Sequence, residues 1–325
     1  MDPIATLVRR SGTVPGAAPA HIPPPAHRGR EVAEVLRELT SRRLPIVGFG
    51  DEKVVYKVGG GWIAKRPRTD KEALRYVLTK RVVRRLRSLK ERGIRCGRRR
   101  SSRPLASSMR DHRAPRAIHG AAIEMALQIV IACVVGILPT RVWAFTRAGR
   151  IVARNKADAQ IGEAVARQRL EESGLVPRRV ALPERIKGRL EGWPRTAVFE
   201  EVYEEADFIL SDHFRRLISE GKPEDMRTWL RGILRYQVEL WRRGAFTASV
   251  SLRNLGVTRG HIVLLDNSLL KDDLAVIEQL LVKRTFSGFA DIRKSVPEEL
   301  ARDFLEKANR LMRFENVRRC WKRSR

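Results

Sequence analysis

A glycine pair and four polar residues have types and spacings that could do phosphate chemistry. Gly48-Phe49-Gly50 sets two glycines in a turn between apparent strands. Without side chains there, a backbone can come close to a ligand and offer its N–H groups to phosphate oxygens. Lys65 follows on a third short strand, WIAKR, where its ammonium can point at the same phosphates. Glu72 lies in the next helix, at a distance suited to pairing with Lys65. Much later, Asn254 falls in a loop after a long helix, and Asp266 comes twelve residues on, after the strand HIVLL. A hairpin between them would bring an amide oxygen and a carboxylate to one end, a donor pair suited to a hard cation such as Mg²⁺.

The elements that must position these residues are legible in outline. IVGFGDEKVVYKV reads as strand, turn and strand, GGG breaks it, and Thr69 or Asp70 caps the helix KEALRYVLTKRVVRRLRSL. RVWAFTRAGRIVARNKA is expected to be a hairpin around Ala148-Gly149, and AQIGEAVARQRLEESGL a helix stopped near Gly174. ERIKGRLEGWPRTAVFEEV suggests another hairpin. ADFILSDHFRRLISEG and EDMRTWLRGILRYQVELWRRG are helical, SLRNLGVTRGHIVLLDNS is a hairpin, and the last fifty residues are mainly helical. Strands first and helices later describe an α+β chain with two lobes.

On this basis residues 1–30 form a Pro-rich flexible leader, and 31–95 a small lobe with the Gly-rich hairpin, the Lys strand and a helix. Residues 96–138 form an insertion, 139–205 the remainder of the small lobe and a connecting hinge, and 206–325 a short helical lobe. One ambiguity concerns the lysine. Lys156 also precedes a helix that carries an acid, Glu163, so Lys65 or Lys156 is the phosphate-binding candidate.

Charge narrows the partners. The chain has 325 residues, 66 Lys and Arg against 37 Asp and Glu, and a formal net charge of +29. Such an excess attracts phosphate-rich partners, and residues 81–116 hold fourteen cations and two acids, a patch for nonspecific nucleic acid. Most of the cations are Arg, as a GC-rich genome would also produce. The three cysteines have no zinc or disulfide spacing, and no basic segment leads into an apolar core near residue 1. A reducing compartment, the cytoplasm, is therefore expected. The apolar run 121–138 contains Glu124 and is read as a core segment rather than a membrane span.

The ordered set of Gly-rich hairpin, third-strand Lys, helix Glu, loop Asn and Asp after a strand resembles protein kinases. More narrowly, GFGDEKVVYKV with its Lys strand, FTASVSLRNLGV and VLLDNS resemble the short bacterial kinase-like proteins of the YrbL family. The likeness covers roughly residues 45–95 and 180–270. It implies a two-lobed kinase-like fold that binds ATP and Mg²⁺ and acts on, or pairs with, another protein. Gly48, Gly50 and Lys65 would hold phosphates, Glu72 would hold Lys65, and Asn254 and Asp266 would bind Mg²⁺. Glu200, Glu201 and Val202 would form the hinge beside the adenine.

Two departures bear on activity. The residue five before Asn254 is Ser249, where a kinase has the Asp that takes the acceptor's proton. A hydroxyl cannot serve as that base near neutral pH without activation. Asp266 is followed by Asn267-Ser268 rather than Phe-Gly. The expectation is either a slow or atypical phosphotransferase or a degenerate pseudokinase. The alternative is a non-catalytic, basic nucleic-acid-binding protein.

Overall fold

The computed structural model describes residues 43–49, 53–80, 130–131, 135, 146–191, 195–247, 250–282, 289 and 291–321. The leader 1–30, the Arg-rich stretch 81–116 and most of the apolar run 121–138 lie outside these. The chain divides into two compact units. One comprises Met1–Gly48, Val55–Arg66 and Ala157–Arg325, and the other Phe49–Val54 and Pro67–Lys156. The boundary at Pro67 falls on the last residue of the strand that carries Lys65.

The first unit is α+β. Its larger sheet has six strands: β1 (Arg43–Leu44), β2 (Ile46–Phe49), β3 (Lys53–Gly59), β4 (Trp62–Pro67), β5 (Arg179–Leu190) and β6 (Thr196–Glu204). Their order is β1-β5-β6-β4-β3-β2. Strand β3 alternates as a half-buried strand should, with Val54, Tyr56 and Val58 each at most 3% exposed. Gly59, Gly60 and Gly61 all have positive φ, which explains why three glycines connect β3 to β4. Strands β5 and β6 form the expected hairpin. Its register slips between Ala181 and Ile186, where five steps on β5 face two on β6, from Glu201 to Phe199.

Helices follow the strands. After α1 (residues 70–80) and α2 (Arg147–Val165) come α3 (Leu210–Ser219), α4 (Pro223–Arg242), α5 (Leu274–Val282), α6 (Ile292–Ser295), α7 (Glu298–Leu311) and α8 (Phe314–Trp321). Helix α4 opens with Pro at its first position and stops at Gly244, which has positive φ. Its buried residues Met226, Leu230, Ile233, Leu234, Leu240 and Trp241 recur at helical spacing and pack with Phe214 of α3 and Phe304 of α7 in one core. Short strands run between the helices: β7 (Phe208–Ile209), β8 (Phe246–Thr247), β9 (Leu255–Thr258), β10 (His261–Leu264) and β11 (Leu270–Lys271). The order β10-β9-β7 forms a three-stranded sheet, and β8 pairs with β11.

One expected element is overturned. The expected hairpin around Ala148-Gly149 is absent; a continuous helix, α2, spans Arg147–Val165. Ala148-Gly149 is its first turn, not a strand reversal. Thr146 starts it, its Oγ1 accepting the Gly149 N–H at 3.0 Å and its carbonyl the Arg150 N–H at 3.0 Å. Ala148 and Val152 turn into a small core with Leu74 and Val77 in the second unit, a packing that outweighs the strand-like alternation. Lys156 therefore lies on a helix, not a strand, and its ammonium is paired with Asp70. Among the described residues no helix is long and apolar enough to cross a membrane.

Phe214 is fully buried at the centre of the helical core. Phe214→Ala should cost about 3–5 kcal/mol, read as a lower denaturant midpoint with an unchanged slope.

Candidate functional site

Strand alternation aims Lys65. Ile63 on β4 stands opposite Tyr203 on β6, so Lys65, two residues on, projects from the same face. Its ammonium lies 4.2 Å from the centre of the Tyr203 ring. It also donates a hydrogen bond at 3.0 Å to the backbone carbonyl of Leu265, two hundred positions later and directly before Asp266.

The loops at this locus are joined through their backbones. The Leu265 N–H donates at 2.8 Å to the Asn254 carbonyl, and the Asn254 N–H donates at 2.8 Å to the Ser251 carbonyl. The Lys65 ammonium thus meets the backbone of Leu265, which is joined to Asn254 and followed directly by Asp266. The β9–β10 hairpin supplies the geometry, as its Leu255↔Leu264 pairing leaves Asn254 and Leu265 facing each other at the open end. One Asp266 oxygen, Oδ1, accepts the Ser268 N–H at 3.1 Å.

Glu72 caps its own helix, α1 (residues 70–80). Its carboxylate accepts from the Thr69 N–H at 2.8 Å and the Thr69 hydroxyl at 3.0 Å, a capping box. The signal was Thr69-x-x-Glu72 itself. Glu200, Glu201 and Val202 do not form a linker. They sit inside β6, with Glu201 opposite Ala181 and Val202 opposite Val180. Gly48 is on β2 and packs against Val55 of β3. Gly50 and Ser249 lie outside the described residues.

Glu163, named in the sequence as the acid on the helix after Lys156, meets the same loop. Glu163, on α2, accepts from the Asn267 side-chain amide at 3.4 Å. Its negative charge also acts on Tyr203: burial first, then Glu163, holds that phenol protonated well above the ordinary tyrosine range. The Tyr203 hydroxyl donates to Glu201, which is also met by Arg179 at 3.0 Å and Arg167 at 3.4 Å. The face of β6 beneath Lys65 is therefore an ordered ion network. Helix α2 reaches this locus because Gly162 has no side chain: a Cβ there would stand 1.9 Å from the Asn267 carbonyl oxygen.

These residues suit a hard, oxygen-seeking cation. Asp266 offers a carboxylate and Asn254 an amide, and the buried Oδ1 of Asn267 has no hydrogen-bond partner. Among the described residues no cluster of three or more His, Cys, Asp or Glu forms a metal cage. Mg²⁺ is commonly held by one or two such groups together with substrate phosphates. Compared with known proteins, the chain matches no protein-family model and no curated protein.

Gly162→Ala tests the α2 contact. The methyl would force helix and loop apart, at a cost of about 1–3 kcal/mol read as a lower melting temperature.

Proposed function

We propose that the protein binds a nucleoside triphosphate with Mg²⁺ in a kinase-like manner. The observation that carries this reading is the hydrogen bond of the Lys65 ammonium beside Asp266, with Asn254 tied to the same loop. A cation from the sheet and a carboxylate from a later hairpin share one locus, as the resemblance implies for gripping phosphates and a metal. In this reading Lys65 leaves the Leu265 carbonyl to meet phosphate oxygens, and the Tyr203 ring keeps its ammonium in position. Asn254 and Asp266 would hold the cation, which would neutralise phosphate charge. Glu163 would steady the Asn267 side of the same loop. The sheet order, with β4 between β3 and β6, is in keeping with a lysine strand that follows a hairpin in a small lobe.

Thermal unfolding with ATP and Mg²⁺ tests the site. With ligand about 100-fold above its dissociation constant, binding should add about 2.7 kcal/mol to wild-type stability. Lys65→Met and Asp266→Ala should each lose most of that gain. No gain in wild type, or an equal gain in both variants, would reject the site.

The formal charge of +29 supports a second reading, nonspecific binding of nucleic acid through residues 81–116. Affinity that falls steeply with salt and disappears on removal of that stretch would favour it.

A further inference from the structure

The residue five before Asn254 is Ser249, so this chain lacks a carboxylate where the resemblance expects one. A carboxylate nevertheless reaches the same loop from elsewhere. The Ser251 hydroxyl donates to Asp291, forty residues later. The Arg253 guanidinium lies 3.7 Å from the same carboxylate. Asp291 therefore sits against the segment whose next members are Asn254 and, through its carbonyl, Leu265.

The seat of Asp291 is firm. It directly precedes α6, between Phe289, which is 6% exposed, and Ile292, which is 0% exposed. The Ile292 N–H donates to the Phe289 carbonyl at 3.1 Å, and the Lys294 N–H to the Asp291 carbonyl at 3.1 Å. Phe289 stacks edge-on against Phe304 of α7. The carboxylate is anchored at its backbone, yet its side chain is 33% exposed, so a ligand can reach it. A single line of hydrogen bonds then runs from the Lys65 ammonium through Leu265, Asn254 and Ser251 to Asp291.

We propose that Asp291 is the catalytic carboxylate of a phosphotransferase, supplied from outside the loop that usually carries it. The inference rests on the nucleotide reading above. The Ser251 hydroxyl shows the contact that an acceptor hydroxyl would make. In the step, the acceptor O–H gives its proton to Asp291 and its oxygen forms a bond to the γ-phosphorus of the nucleoside triphosphate. The bond from that phosphorus to the β–γ bridging oxygen breaks, and its electron pair leaves with the nucleoside diphosphate. Asp291 then returns the proton to water. The acceptor is a hydroxyl compound or, at a basal rate, water itself.

The test uses the full chain as wild type, Asp291→Asn and Asp303→Asn. Asp303 is a surface acid on α7 paired with Lys307 at 2.8 Å, and it controls for loss of a charge. Two quantities are read: the melting-temperature shift on adding ATP and Mg²⁺, and the rate at which ADP forms. All three proteins should show the same shift. Wild type and Asp303→Asn should form ADP at the same rate, and Asp291→Asn at least tenfold slower, since a positioned base contributes on the order of 100-fold or more. If Asp291→Asn melts early without nucleotide, Asp291→Glu decides. Turnover restored by Glu but not by Asn supports the assignment; equal loss in both, with the ATP shift intact, overturns it. Turnover of Asp291→Asn equal to wild type also overturns it, as does wild type that binds ATP but forms no ADP above a protein-free control. Wild type with no ATP shift instead sinks the nucleotide reading, and the assignment of Asp291 falls with it.

Discussion

The arrangement depends on one cation withdrawn in part from water. An ammonium that loses hydration must recover it from fixed partners, or burial becomes costly. Lys65 recovers it from a carbonyl of the later hairpin and from the face of an aromatic ring. This requirement ties the sheet to a loop two hundred positions away. It also constrains the neighbouring strands: β6 must lie beside β4 to present Tyr203, and Tyr203 must be steadied in turn. Glu201, Arg179 and Arg167 do that from the phenol end.

Close packing supplies the second constraint. Helix α2 could not bring Glu163 to the Asn267 amide without Gly162, because any Cβ would run into the Asn267 backbone. Asn267 is 5% exposed and holds an oxygen without a partner, while the adjoining Asp266 retains access. The loop is closely packed where it meets the helix and half-exposed where it offers its carboxylate. Such a division suits a site that must hold its shape and still admit a charged ligand.

How much of this could be read from the sequence varied with the range of the interaction. Local grammar worked well. The three glycines, the cap at Thr69, the helix ended by Gly244 and the hairpin before Asp266 all follow from residue types and spacing. Lys65, Asn254 and Asp266 could be singled out because strand alternation and hairpin closure aim them. The misreadings came from tertiary context. The stretch before Lys156 alternates like a strand, yet Thr146 caps it as a helix and Ala148 and Val152 are buried as one. Glu72 has the offset from Lys65 that suggests pairing, and the same stretch also gives its carboxylate a place in a capping box, which the sequence reading did not name. Glu200 to Val202 have the composition of a linker, yet pairing with β5 keeps them in the sheet. Asp291 had no local signature: it matters only because folding carries Phe289 and Ile292 into the core beside Ser251.

Helix α2 does not end cleanly. Beyond Val165 it widens into a π turn at Ala166–Leu170, then tightens into a 3-10 turn at Glu171–Ser173. A π turn accommodates one residue more than an α turn. Between Glu163 and the fully buried Leu170, the wide turn thus takes up one residue more than a regular helix would. Deleting a residue within it would let it close as an ordinary α turn and leave Glu163 directed at Asn267, whereas a deletion just ahead of it would turn Glu163 by about a quarter turn or slightly more. The helix has slack in length at one turn only, and the acid's bearing is set by the regular turns before it.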